Sequence, residues 1–434
     1  METLPQDYDI IIVGAGMVGA TLACALGSSA MRIAVLEAQA LPVDAPLNDD
    51  VDLRVSAITR ASQRVFTAIG AWPGMVARRM NAFREMHVWD AGGTSVDAPA
   101  DTVDKGEIHF DSADIGEHTL GYIVENRVIQ AALLDRLRSF SNITLLCPAS
   151  VASMVITADG VQVGLSQTGL NQVSSLTAKL IVGADGAHSK VRQLAGIATR
   201  GWSYAQKGVV ATVKTELPHR DTAWQRFLPS GPLAFLPLHD GRCSIVWSTS
   251  PEHADRLVAM DETAFLETLG QAFGDKLGKM AASPGPRAAF PLNLQHASAY
   301  TAPRLALIGD AAHTLHPLAG QGVNLGVLDA ATLAEVLLDA YNLANEIGAH
   351  GLLRRYERWR KGDNLAMMIL MDGFKRLFSN DLAPLRWLRT GGLRLTHRLP
   401  PIKNLIMRHA MGLTGDLPEI ALDRRADPPK QWKI

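Results

Sequence analysis

An α/β fold is predicted for this chain: a helix-wrapped parallel sheet, an antiparallel sheet interleaved with it along the sequence, and a helical C-terminal region. Three observations predict it. Tyr8 to Leu36 reads strand, glycine turn, helix, strand; Gly208 to Ser250 alternates short strands with turn signals; and the chain after Val323 is mostly of helical period. The 434 residues correspond, at roughly 150 per domain, to two or three structural units. With 47% hydrophobic and 20% charged residues the chain can bury a large core, which excludes wholesale disorder. A net charge of −1 argues against nucleic-acid partners. Three cysteines, Cys24, Cys147 and Cys243, include no CxxC pair. No disulfide framework and no metal site is expected, and a reducing cytoplasm fits best.

The first apolar run, Ile10 to Met31, is uncharged and long enough to span a bilayer. Its flank is acidic, however (Glu2, Asp7, Asp9), which opposes a signal peptide. The run also divides internally: Tyr8 to Val13 is β-branched, Gly14-Ala15-Gly16-Met17-Val18-Gly19 is a turn, small helix-formers reach Leu26, and Arg32 to Leu36 is again strand-like. This is a βαβ unit whose strands are apolar throughout because both faces are covered. Asp44 to Asp52 reads as an acidic loop, a helix covers Ser62 to Ile69, and Asp90 to Glu117 is a polar loop with short strands. Asn126 to Phe140 is a helix; Ile143–Cys147, Val151–Thr157, Val161–Ser166 and Leu180–Gly183 are strands. The antiparallel set is Val209–Thr215, Ala223–Leu228, Leu233–Leu238 and Cys243–Ser248, after which Arg304–Ile308 returns to a buried strand.

The glycine turn carries chemistry. Gly14 permits the tight turn, Gly16 lets backbone approach a pyrophosphate, and Gly19 lets helix and strand pack closely. Helix N–H groups and the positive end of the dipole then face the phosphates. Glu37, ending the second strand, is placed for ribose hydroxyls and disfavours a 2′-phosphate. The unit is Rossmann-like, and its dinucleotide is FAD or NAD rather than NADP. Two further strands end in a glycine–acid turn: Ile181-Val182-Gly183-Ala184-Asp185-Gly186, with Ser189 available to cap a helix, and Leu307-Ile308-Gly309-Asp310, followed by Gly320-Gln321-Gly322-Val323-Asn324-Leu325-Gly326.

With Asp52-Leu53-Arg54-Val55-Ser56-Ala57, Glu125-Asn126-Arg127, Gly231-Pro232-Leu233-Ala234-Phe235-Leu236-Pro237-Leu238 and Arg408-His409-Ala410-Met411-Gly412-Leu413, these motifs make the chain resemble the class A flavoprotein aromatic hydroxylases, of which p-hydroxybenzoate hydroxylase is the type member. More narrowly it resembles the ubiquinone-biosynthesis hydroxylases of the UbiH/UbiF/VisC group, over about residues 8 to 420. The resemblance implies non-covalent FAD held by Gly14, Gly16, Gly19 and Glu37, with Arg54 and Arg127 near the diphosphate and Gly309 and Asp310 at the ribitol. Asp185 and Gly186 match a motif tied to flavin and reduced pyridine nucleotide. Gly322, Val323 and Asn324 would start a helix against the flavin pyrimidine end, with Pro317, Gly320, Gln321 and Gly322 positioning the flavin edge.

The implied reaction is hydroxylation of a prenylated phenol or quinol precursor through a flavin C4a-hydroperoxide, with NAD(P)H as a transient reductant and O2 as co-substrate. The implied organisation places the FAD-binding domain at 7–80, 115–200 and 290–340, the substrate domain at 81–114 and 201–289, and a helical region at 341–434. A structural role is expected for His313 and His316. The chain has no GxxxxGK[ST], HExxH or GxSxG motif, so phosphoryl transfer, zinc proteolysis and the serine elbow find no support. A flavin oxidase or dehydrogenase, and a non-catalytic FAD subunit of a biosynthetic complex, are the alternatives. Between residues 374 and 408 eight basic residues stand against Asp381 alone, interleaved with apolar ones. This pattern predicts peripheral contact with an anionic membrane surface on its inner face, beside a ubiquinone-biosynthesis complex as a further partner.

Overall fold

The computed structural model describes residues 7–41, 51–90, 106–166, 174–281, 285–314, 322–378, 396 and 398–422. Its first sheet has parallel strands in the spatial order Leu305–Leu307, Ser174–Gly183, Asp7–Val13, Ile33–Leu36, Ile143–Leu146. Ile10, Ile11, Ile12, Ile33, Val35, Leu180 and Leu305 are wholly buried, which is why these strands are continuously apolar. Helices Met17–Leu26, Asn126–Arg138 and Gly322–Asn342 contribute Leu22, Leu26, Leu133, Leu333 and Leu337 to the same core.

The second sheet is nine-stranded: eight follow the order His313–Thr314, Ala288–Ala297, Thr199–Thr215, Cys243–Thr249, Gly231–Pro237, Thr222–Leu228, Glu85–Asp90, Glu107–Asp111, and Met280–Ala281 pairs with Thr199–Thr215 off this path. It departs from the expected wholly antiparallel set in one pair: Thr222–Leu228 runs parallel to Glu85–Asp90. No hairpin joins these two strands, which come from distant parts of the chain, so nothing forces antiparallel pairing. Helices Pro251–Ala259 and Glu262–Phe273 cover one face, packing Leu257, Phe265, Leu269 and Phe273 on Val209, Leu233, Phe235 and Trp247.

The expected boundaries at 200/201 and 289/290 fall inside strands of this sheet. Thr199–Thr215 is ladder-paired to Ala288–Ala297 from Thr199↔Ala297 to Val210↔Ala288, so both strands belong to the second sheet at full length. Their ends were hidden by Gly201 and by Pro291, residues that weaken a strand reading. A small third sheet, Val55–Ile58, Gly121–Glu125 and Asn81–Phe83, bridges the two.

Candidate active site

The register of the first sheet explains why three distant motifs meet. Val13 pairs with Gly183 and with Leu36, and Gly183 pairs with Leu307. The residues that follow, Gly14, Ala184, Glu37 and Ile308, therefore leave the sheet in one row at its carboxyl edge. Strands on either side of Asp7–Val13 leave it with connections that diverge, and the crevice at such a point is where nucleotides bind.

Glycine is required in this row by geometry. Gly14 has φ +104, and a Cβ there would lie 2.4 Å from the Ala184 carbonyl oxygen. A Cβ on Gly19 would lie 2.0 Å from the Gly14 oxygen. Gly16 differs: its Cβ direction is open, with nothing within 4 Å. Two glycines thus let the chain pack on itself, and the third leaves the helix start accessible from outside. Gly16 caps helix Met17–Leu26 without a side-chain bond, so the first N–H groups of that helix face outward. At the rim, Glu37 Oε2 accepts from the Ala15 N–H at 2.9 Å and Oε1 from the Gln39 N–H at 2.9 Å. Each oxygen retains a lone pair for a hydroxyl.

The third motif enters from the other side. Gly309 has φ +59 and lies on Val18, as does Gly326, whose Cβ would be 2.6 Å from Val18 Cγ2. Helix Gly322–Asn342 thereby approaches helix Met17–Leu26 closely. Asp310 is exposed although protein crowds it, and it has no side-chain hydrogen-bond partner among the described residues. Loss of hydration raises its carboxyl above the ordinary value, against the pull of His313 and Arg54. Arg54 is exposed, and its guanidinium lies 5.5 Å from the Phe290 ring centroid. Asn324 is buried and spent internally, accepting from the Thr59 N–H at 3.0 Å and donating to the Ala57 carbonyl at 2.8 Å. Gly322 and Val323 begin the helix, and the Cβ direction of Gly322 is open. Pro317, Gly320, Gln321 and His316 lie outside the described residues.

The second motif leaves the sheet beside the first, and its acid turns onto the helix that follows it. Asp185 Oδ2 accepts from the Lys190 and Val191 N–H groups at 2.7 and 3.1 Å, and Ser189 accepts from the Arg192 N–H at 3.0 Å. Asp185 Oδ1 is buried without a partner among the described residues. Gly186, at φ +80, has open space around it. Arg192 joins the second motif to the third, donating to the Ala311 and Ala187 carbonyls, both at 2.7 Å.

Two supporting clusters join residues of the quoted motifs to partners that sequence reasoning did not supply. Glu125, buried at 3% exposure, binds Arg79 at 3.0 Å, the Arg127 Nε at 2.8 Å and the Asp52 N–H at 2.8 Å. Arg127 is thus held by its own motif, where helix Asn126–Arg138 follows strand Gly121–Glu125 of the third sheet. Asp329, wholly buried, accepts from the Gly309 N–H at 3.1 Å and Arg360 Nε at 2.9 Å, and pairs with His313 at 2.5 Å. Burial alone would raise its carboxyl, but His313 and Arg360 hold it far below the usual carboxylate range. The available signal was Asp329 as the one charged residue in the helical stretch Leu325 to Ala334. Arg360 lies among other charges and has no such signal.

Open space at Gly16 and Gly322, a free-standing Asp310 and an orphan Asp185 oxygen fit an extended, anionic, hydroxyl-rich ligand such as FAD. Comparison with known proteins agrees. The FAD binding domain model matches residues 7–367. The chain is 40% identical to the ubiquinone hydroxylase UbiL of Rhodospirillum rubrum, over 93% of this chain and 89% of that one. It is 38% identical to the 3-demethoxyubiquinol 3-hydroxylase of Escherichia coli, over 94% and 99%. It is likewise 38% identical to the human mitochondrial ubiquinone biosynthesis monooxygenase COQ6, over 93% and 92%. In fold it is similar to the p-nitrophenol 4-monooxygenase PnpA of Pseudomonas putida, with TM-score 0.74 and 18% identity over 94% and 99% of the two chains. A lone glycine turn would leave FAD and NAD open, but three turns in one row, matched over most of the length, do not: the chain belongs to the FAD-binding-domain family of flavin monooxygenases, within its ubiquinone-biosynthesis hydroxylases.

Proposed function

We propose that this chain hydroxylates the aromatic ring of a prenylated phenol or quinol precursor, with NAD(P)H and O2 as co-substrates. The observation that carries the reading is the convergence of Gly14–Gly19, Glu37 and Gly309–Asp310 on one sheet edge. When bound there, FAD supplies reductive activation of O2 and transfer of one oxygen atom to the ring.

The chain's own residues bind, orient and exclude water. Helix Met17–Leu26 and the guanidinium groups of Arg54 and Arg127 neutralise the diphosphate. Glu37 and Asp310 accept hydrogen bonds from ribose and ribitol hydroxyls. The start of helix Gly322–Asn342 favours negative charge at the pyrimidine end by about 0.3–1 kcal/mol when exposed and up to about 2 when partly buried. Pro317, Gly320 and Gln321 are assigned to the flavin edge, and Asp185 and Gly186 to the visit of the pyridine nucleotide. Strand Gly231–Pro237 is buried along its whole length in the sheet assigned to the substrate side, where the chain would have to exclude water. The chain is read as FAD-binding and substrate domains interleaved as in the sequence, with the second-sheet strands Thr199–Thr215 and Ala288–Ala297 included in the latter.

Peripheral membrane contact through the C-terminal helices is part of the reading, as is association with a biosynthetic complex. Its support is apolar exposure: Ile369 is 72% and Leu405 62% exposed, with Leu365, Leu370, Ile402 and Ile406 beside them. No helix among the described residues is long and apolar enough to cross a membrane. The test of the central reading is incubation of the FAD-loaded protein with a prenylated phenol, NAD(P)H and isotope-labelled O2. One labelled oxygen on the ring is expected; stoichiometric H2O2 without ring labelling would overturn it.

A further inference from the structure

The outer end of the second sheet, made by Glu85–Asp90 and the edge strand Glu107–Asp111, carries a cluster that the flavin site does not use. His87 and His109 are direct cross-strand partners. Glu85 precedes His87 by two residues and so projects from the same face. Glu85 Oε2 lies 2.9 Å from His109 Nε2 and 3.8 Å from His87 Nε2. The ligating atoms of all three residues are within 4.8 Å of one another. The two imidazoles stack at 4.1 Å between centroids, and Trp224 stacks on His87 at 4.7 Å.

The surroundings are those a metal-ligating histidine uses. His87 Nδ1 lies 3.3 Å from Glu107 Oε1, leaving Nε2 directed to the cluster. Glu107 is in turn bound by Lys276 Nζ at 2.9 Å. A carboxylate on the far ring nitrogen fixes the tautomer and raises the basicity of the nitrogen that ligates.

We propose that Glu85, His87 and His109 form a binding site for a divalent transition-metal ion, with zinc the ion that suits it best. Two imidazoles and one carboxylate match zinc's ligand set, whereas calcium and magnesium require oxygen. Closing the three atoms to the roughly 2.0–2.2 Å bonds that zinc forms needs only side-chain rotation on a rigid ladder. Water would fill the fourth position. The cluster is at the opposite edge of the sheet from His313–Thr314, so its role is to clip the edge strand and not to serve the flavin. The same strand docks the C-terminal helix Pro400–Ala410, since the His109 carbonyl accepts from Lys403 Nζ at 3.3 Å.

The test is titration of chelator-stripped, FAD-loaded full-length protein with zinc chloride against a chromogenic competing chelator. One equivalent is expected to bind, at least tenfold more weakly in His87→Ala and in His109→Ala. Glu107→Gln should weaken binding by about 10–100-fold. Unaltered zinc affinity in a His87→Ala/His109→Ala double variant that retains its FAD would overturn the site. Should the variants fail to fold, cobalt(II) added to the wild-type protein decides. Visible absorption of tetrahedral intensity supports the site, and its absence overturns it.

Discussion

At the scale of single residues, the glycines of the first turn separate folding from ligand binding. Gly19→Ala forces a Cβ against the Gly14 carbonyl and should cost about 1–3 kcal/mol of stability, read as a lower melting temperature. Gly16→Ala meets no protein atom, so the melting temperature of the apoprotein should hold while FAD affinity falls at least about tenfold. Equal FAD affinity in Gly16→Ala and wild type would remove the diphosphate from this turn. A second residue-scale case is His296, 9% exposed and opposite His313 in the ladder. Burial, aided by Lys361, lowers its imidazole from 6.5 to about 4. The folded state keeps it neutral while the unfolded chain takes up a proton, so stability present above pH 6.5 is eroded as pH falls towards 4. The loss is about 3 kcal/mol at most. His296→Gln should flatten the melting temperature against pH across that interval, and an unchanged slope would refute the assignment.

At the scale of elements, the Gly309–Asp310 turn depends on a helix that begins 12 residues further on. Asp329 reaches back from that helix to the Gly309 N–H, and Arg360, from helix His350–Phe378, completes the pair. Asp329→Asn removes the buried carboxylate that binds Arg360 Nε and His313, leaving Arg360 with the half-exposed Asp363 at 3.4 Å, which should destabilise the fold by about 3–5 kcal/mol. Because the turn presents Asp310, FAD retention on a desalting column should fall in the same variant at temperatures where it remains folded. Full retention would separate Asp329 from the site. Helix Pro400–Ala410 gives a second lesson at this scale. Two of the eight basic residues counted towards a membrane surface are used inside the protein: Lys403 pairs with Asp114 at 2.7 Å, and Arg408 donates to the Ile115 carbonyl at 3.2 Å. The basic residues at 386, 389 and 394 lie outside the described residues.

For the whole molecule, two sheets of different style are joined by the small bridge of Val55–Ile58, Gly121–Glu125 and Asn81–Phe83, and by the Arg54–Phe290 contact. Seven exposed apolar residues lie on or beside the C-terminal helices, at 365–370 and 399–406, while others such as Val76, Val155 and Leu217 are scattered. An apolar surface flanked by basic residues should bind anionic vesicles in a salt-sensitive way, at roughly 1 kcal/mol for each basic residue at the surface. Flotation with liposomes containing anionic lipid should carry the protein upward at low salt and release it at high salt. Failure to float at low salt would exclude lipid contact through this end.

By itself the sequence determined the parallel core and the three glycine–acid turns, and narrowed the ligand to FAD or NAD; family resemblance then selected FAD. Each is local: a β-branched run, a glycine at a set spacing and an acid at a strand end carry their reason within a few residues. The register alone decided that Ala184 and Ile308 leave the sheet beside Gly14 and Glu37, because pairing between strands some 120–170 residues apart depends on the folded sheet. Only the tertiary structure showed that Asp185 caps the helix after its own turn, that Asn324 is spent on Thr59 and Ala57, and that Asp329 and Glu125 are the buried anchors. The meeting of His87 and His109 was hidden for the same reason. Polar partners are chosen by proximity in space, and a polar residue's own neighbours in sequence carry no record of which distant group will satisfy it.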